Sequence, residues 1–117
     1  MRRRRGENQE MEEALKAGHT ISYRSSGWSL WPRVVSGQVC TVIPVMFAEM
    51  VNEGDIVFCR VQETNEYYIL KVLSIGWDRK RSKEYYWIGN NKGHKNGWCY
   101  LEHIFGKVVD IYDGDGR

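Results

Sequence analysis

The chain has 117 residues, 42% hydrophobic and 27% charged, enough for one globular domain with its own core. Its net charge is +2, but Arg2 to Arg5 supply four of the positive charges, and the other 13 basic residues are outnumbered by 15 acidic ones. The body is therefore not read as a basic nucleic-acid binder, which leaves only the arginine run to touch nucleic acid or an anionic surface. No apolar run approaches the roughly 20 residues that span a bilayer, and none follows the arginines as in a secretory leader, so a cytoplasmic protein with no membrane partner is expected.

Residues 1–8 read as a basic disordered tail and 9–117 as a single β domain. A short helix is predicted over 9–17, with Asn8 as its cap, Glu10, Glu12 and Glu13 near its positive end, and Gly18 to stop it. Met11, Ala14 and Leu15 share a face that can lean on a sheet. From residue 20 to 25 the hydrophobic period becomes two, the mark of a half-buried strand. That strand leads into Gly27-Trp28-Ser29-Leu30-Trp31-Pro32. A β-branched run over 39–45 predicts a buried strand, with Pro44 marking an edge or bulge at its far end.

The turn Asn52-Glu53-Gly54-Asp55 introduces a strand over 56–61, a polar hairpin loop over 62–66 and a partner strand over 67–75. Residues 78–83, Asp-Arg-Lys-Arg-Ser-Lys, read as a charged, solvated turn before a strand over 85–88. Residues 89–97 are rich in Gly and Asn and read as a long loop. A helical turn at 100–104 and a last strand over 106–112 close the sheet. The fold class is mainly β: a compact twisted sheet or partial barrel of roughly six or seven strands with one short N-terminal helix.

Three cysteines, Cys40, Cys59 and Cys99, with no CxxC pair, argue against a disulfide framework or a zinc ribbon. Cys40 and Cys59 fall in strand-like runs and read as small buried hydrophobes. His94, Cys99 and His103 lie close in sequence but at irregular spacing. No metal and no cofactor is expected.

Ser29 stands in a stiff loop between a glycine that lets the backbone turn and a proline that fixes φ. Most serines in such loops are only turn residues, and most strand lysines reach for solvent. Lys71, however, falls in Ile69-Leu70-Lys71-Val72-Leu73, where alternation sets it on the same face as Ile69 and Leu73. A lysine in apolar company is a candidate base for a serine nucleophile, because burial disfavours its charged form.

The order of motifs resembles the LexA/signal-peptidase superfamily of Ser-Lys peptidases. Gly27-Trp28-Ser29-Leu30-Trp31-Pro32 is similar to that family's G-x-S-M-x-P loop, and Gly54-Asp55-Ile56-Val57 to its G-D-x-V strand. Tyr68-Ile69-Leu70-Lys71-Val72 resembles the lysine strand, Gly89-Asn90-Asn91-Lys92 the G-D-N-R loop, and Gly106-Lys107-Val108-Val109 the terminal strand. The five blocks occur in order over residues 19–112. Four positions depart from the pattern: Leu30 for methionine, Gln38 for aspartate, Val72 for arginine and Asn90 for aspartate. Ala17-Gly18 matches the dipeptide that the family's self-cleaving repressors cut, but a strand over 20–25 would carry it some 20 Å from the serine at about 3.3 Å per residue.

The resemblance implies a stand-alone serine peptidase fold with Ser29 as nucleophile and Lys71 as general base. Gly27, Trp28, Asn90 and Asn91 would support the loop, and Leu30, Trp31 and Pro32 would contact substrate. Backbone N–H groups near Ser29 would hold the oxyanion, and a peptide or protein substrate would lie extended along a strand edge. The alternative is a catalytically silent member of the same fold. It would bind or sequester a peptide or a small anionic ligand such as a nucleotide through Lys92, Lys95 and exposed aromatics, by analogy with small virus-encoded proteins, including those of phages. A third reading is a homo-oligomer built through the aromatics.

Overall fold

The structure, a computed structural model, describes residues 5–27 and 29–113, with Arg5 described by its backbone only. Helix α1 (Arg5–Lys16) precedes seven strands: β1 (Ile21–Arg24), β2 (Gln38–Pro44), β3 (Ile56–Arg60), β4 (Tyr67–Asp78), β5 (Lys83–Gly89), β6 (Lys95–Tyr100) and β7 (Ile104–Asp113). They form one antiparallel sheet in the order β1-β2-β7-β3-β4-β5-β6, curled into a half-barrel. This is the mainly β class with one short helix that the hydrophobic periods imply.

Strand alternation divides the apolar residues between two cores. Val57 and Cys59 of β3, Leu70 and Val72 of β4, Tyr86 and Ile88 of β5, and Cys99 of β6 point into the curl. The Gln62 N–H donates to the Trp98 carbonyl at 2.8 Å, which draws β6 back toward the end of β3. On the other face Phe58, Val42 and Phe105 pack under Leu15 of α1, while Ile56 and Cys40 pack with Val34 of the loop after β1. Each such side chain, fully buried, contributes roughly 1.5–3 kcal/mol. Gly106 lets the helix approach: a Cβ there would lie 2.5 Å from Val42 Cγ1 and 2.9 Å from Leu15 Cδ1.

The helix starts earlier than the sequence suggested. It begins at Arg5, so residues 5–8 of the expected disordered tail are helical, while residues 1–4 lie outside the described residues. Asn8 is not a cap but a buried helical residue. Asn8, Met11, Glu12 and Leu15 follow the i, i+3, i+4, i+7 stripe, so the face turned to the sheet is half polar, and tertiary burial overrides the capping preference. The Glu12 carboxylate makes this tolerable, accepting a hydrogen bond from the Tyr67 hydroxyl at 2.6 Å and pairing with Lys16 at 2.7 Å. Gly18, at φ +93°, ends the helix as expected, its N–H donating to the Leu15 carbonyl and that of His19 to the Ala14 carbonyl.

Two further expectations change. Residues 89–97 are not one loop, because β6 begins at Lys95. Gly97 is a close-approach glycine within that strand: a Cβ would lie 2.8 Å from Val61 Cβ. β7 does not close the sheet at an edge but sits inside it, between β2 and β3. Pro44 sits where it was expected to be tolerated: β1 pairs with β2 only from Val39 to Val42, so Pro44 has β7 alone beside it.

Candidate functional site

The loop after β1 is pinned at its far end. Leu30 packs against both cores and Val34 is buried, with the Val34 N–H donating to the Leu30 carbonyl at 3.1 Å. The Arg33 guanidinium donates to the Gly54 carbonyl. Gly27 adopts φ +85°, a conformation that suits glycine, and the Trp31–Pro32 peptide is cis. Trp28 lies outside the described residues. Held this way, the loop leaves Ser29, Trp31 and Pro32 exposed. Among the described residues, neither the Ser29 nor the Leu30 amide donates to a backbone carbonyl.

Lys71 occupies the middle of β4, opposite Ile56 of β3 and Gly89 of β5. Cross-strand partners share a face, so Lys71 lies on the side of Ile56 and Ile69, the side on which Leu30 packs. It is half-buried. Val72, by contrast, is fully buried in the curl, where the charge of an arginine would have no partner.

The turn between β5 and β6 joins the two. The Asn91 N–H donates to the Ser29 carbonyl at 2.9 Å, and Asn91 Nδ2 donates to the Trp31 carbonyl at 3.2 Å. Lys71 Nζ donates to Asn91 Oδ1 at 3.4 Å. One asparagine thus touches the serine loop through its main chain and the lysine through its side chain. Asn90 shapes the turn, its Oδ1 accepting from the Lys92 N–H at 2.9 Å and the His94 N–H at 3.0 Å. An amide oxygen does this as well as a carboxylate, so asparagine in place of aspartate leaves the turn ordered. Among the described residues no hydrogen bond joins the Ser29 hydroxyl to Lys71; the amine is directed to Asn91 instead.

Ser29 borders a cleft of about 640 Å³ between this loop and β4, lined also by Gly27, Leu30, Tyr68, Ile69 and Asn96. β5 pairs with β4 only from Lys71 onward, so residues 68–70 turn their other backbone edge toward the cleft. Sequence reasoning did not single out Asn96, whose side-chain oxygen is buried with no hydrogen-bond partner among the described residues. Asn91 was grouped with Asn90 as a turn residue, and nothing in the order of residues marks it as the hub.

Outside the cleft, Cys40, Cys59 and Cys99 are free and buried. A hydrogen bond with Cys99, together with burial, pushes the Cys59 thiol well up, which makes Cys59 a poor nucleophile. His94 sits on the exposed turn while Cys99 points into the core, and among the described residues no three His, Cys, Asp or Glu gather as metal ligands. Among the described residues no helix is long and apolar enough to cross a membrane. No protein-family model, curated protein or solved structure matches the chain.

Proposed function

We propose that the chain is a Ser-Lys peptidase of the LexA/signal-peptidase type, acting on an extended peptide laid in the cleft beside Ser29. The observation that carries this reading is the shared contact of the Ser29 loop and the Lys71 amine with Asn91. Ser29 and Lys71, 42 positions apart in the chain, meet at one residue, with an exposed hydroxyl on one and an amine on the other. The edge of β4 at residues 68–70 offers the peptide main-chain hydrogen bonds, in the manner of strand addition.

In this reading the Lys71 amine takes the proton from Ser29 Oγ as that oxygen attacks the scissile carbonyl carbon. The oxyanion is held by backbone N–H groups at Ser29 and Leu30. The lysine ammonium then gives its proton to the departing amine, and water hydrolyses the acyl-serine by the same proton path in reverse. The lysine stem is flexible, so release from Asn91 Oδ1 is a rotation about side-chain bonds.

A second reading rests on that same hydrogen bond: Lys71 held by Asn91, away from Ser29, suits a peptide-binding module that does not turn over. Incubation with a mixed library of unstructured decapeptides, analysed by mass spectrometry, separates the two. New termini formed by the wild type and absent with Ser29→Ala support the peptidase. Peptide retained equally by both proteins and never cut favours the binding module.

A further inference from the structure

We propose that the outward face of β4, β5 and β6 is a stacking platform for single-stranded nucleic acid, separate from the Ser29 cleft. Residues 86, 88 and 99 point into the curl, so their neighbours point out. The register sets Trp87 beside Trp98, and Tyr85 beside Tyr100. On the β4 side the partners of Trp87 and Tyr85 are the small residues Ser74 and Gly76, and Tyr85, Trp87 and Trp98 stay partly exposed, while Tyr100 is buried. The Tyr85 ring lies across Gly76, where a Cβ would be 2.5 Å from the ring. Tyr85 and Trp98 meet at 79°, and Trp98 and Tyr100 at 85°.

Two hollows flank Trp98. One, of about 210 Å³, is walled by Tyr85, Trp87, Trp98 and Asp78. The other, of about 420 Å³, adds Arg81, Lys83, Gln62, His103 and the Lys83-paired Glu102 to Trp98 and Tyr100. An aromatic slot beside a basic one is what a nucleotide requires: a ring face for the base and cations for its phosphate.

Charge selects the occupant. The whole body is slightly acidic, but its basic residues are not evenly spread. Arg79, Lys80 and Arg81 crown the β4–β5 hairpin, Lys83 follows in β5, and Lys95 opens β6. Arg79 and Lys80 are exposed and make no ion pair among the described residues. Lys95 Nζ sits 4.3 Å from the centroid of Trp87, and Lys83 Nζ 4.0 Å from that of Tyr100. The acids nearby are already engaged: Asp78 accepts from the Tyr100 hydroxyl at 2.7 Å, and Glu102 pairs with Lys83 at 3.2 Å. Three rings and a carboxylate are also the parts of a quaternary-ammonium cage. Arg81 and Lys83 pair with Asp78 and Glu102, which leaves Arg79, Lys80 and Lys95 to repel an ammonium and attract a polyanion, and this decides for nucleic acid. On binding, Lys95 leaves the Trp87 ring face to a base and turns to a phosphate.

The test is fluorescence anisotropy of a labelled 15-nucleotide oligothymidylate at 50 and 200 mM salt, with thymidine monophosphate, a duplex of equal length and choline as competitors. Saturable binding that weakens with salt, displaced poorly by each of the three competitors, is expected. Trp87→Ala should weaken it about 5- to 160-fold, as loss of one stacked base does. The double variant Arg79→Glu, Lys80→Glu alters only exposed side chains and should reduce the salt slope by about 1.4, or 0.7 for each phosphate no longer neutralised. Ser29→Ala should bind as the wild type. Absence of saturable binding at 50 mM salt, equal preference for duplex, displacement by choline, or affinity unchanged in both face variants would each overturn the proposal.

Discussion

Gly89→Ala tests whether the turn that carries Asn91 is seated as tightly as its packing implies. Gly89 ends β5, opposite Lys71, and an added Cβ would lie 2.0 Å from the His94 carbonyl oxygen and 2.5 Å from Leu73 Cδ1. The leucine tip can swing aside. The carbonyl cannot, because it belongs to the turn itself and accepts the Asn90 N–H at 3.0 Å. Restoring an ordinary separation requires the turn at residues 90–94 to move by about 1 Å relative to β5. The 2.9 Å bond from the Asn91 N–H to the Ser29 carbonyl would then open toward ~4 Å, past hydrogen-bonding range.

Overpacking of this kind costs about 1–3 kcal/mol, and the broken hydrogen bond about 1 kcal/mol more. In a chain of this size the sum corresponds to a fall in Tm of roughly 10 °C. Thermal unfolding followed by circular dichroism measures it, beside acylation of Ser29. Gly6→Ala is the control: nothing lies within 4 Å of its Cβ in α1, so it should be neutral or stabilise by about 0.5–1 kcal/mol. A Gly89→Ala protein that melts and acylates like the wild type would refute the seating of the turn.

Asn91→Ala removes the side-chain bonds to Trp31 and Lys71, and should lower stability by about 1–2 kcal/mol and Ser29 acylation tenfold or more; thermal melts and labelling rates check both. Gly106→Ala should destabilise by pushing Leu15 and Val42 apart, while Leu15→Ala alone should cost about 2–5 kcal/mol. The double variant should cost less than the two singles together, which denaturant titration of all three proteins would reveal. At Glu12 burial alone would raise the carboxyl, but hydrogen bonds from Lys16 and Tyr67 and the charges of Lys16 and Arg60 outweigh it, so its folded pKa lies below the ordinary carboxylate value. A depressed carboxyl contributes stability that is present above its unfolded pKa and lost as pH falls through the folded one. The Tm should therefore drop below about pH 4, and Glu12→Gln should flatten that acid limb in melts from pH 3 to 7.

Much of the fold was legible because strand periodicity is local. Residues 20–25, 39–45, 56–61 and 67–75 alternate or run β-branched, and each contributes to a strand close to those bounds. What escaped depends on packing between distant segments. Asn8 looked like a cap because its neighbours are polar, and only the docking of α1 on Tyr67 and Leu15's pocket shows a polar helix face buried. β6 looked like a loop because Gly97 reads as a turn residue, whereas the space it leaves is filled by Val61. The inner place of β7 is a matter of pairing order, which composition does not encode. Of the candidate site, the serine, the lysine and the Gly-Asn turn were picked out as residue types in sequence. That Asn91 would touch two of these segments, and that the basic hairpin at 79–83 would border the partly exposed rings of Tyr85, Trp87 and Trp98, required the register of β4, β5 and β6.

The account turns on whether Lys71 activates Ser29. The direct measurement is intact-mass spectrometry after incubation with a serine-acylating fluorophosphonate from pH 6 to 10, beside Ser29→Ala and Lys71→Met. A single adduct on the wild type, mapped to Ser29, rising with pH and absent from both variants, is the predicted result. An adduct that persists in Lys71→Met at the wild-type rate would contradict the dyad.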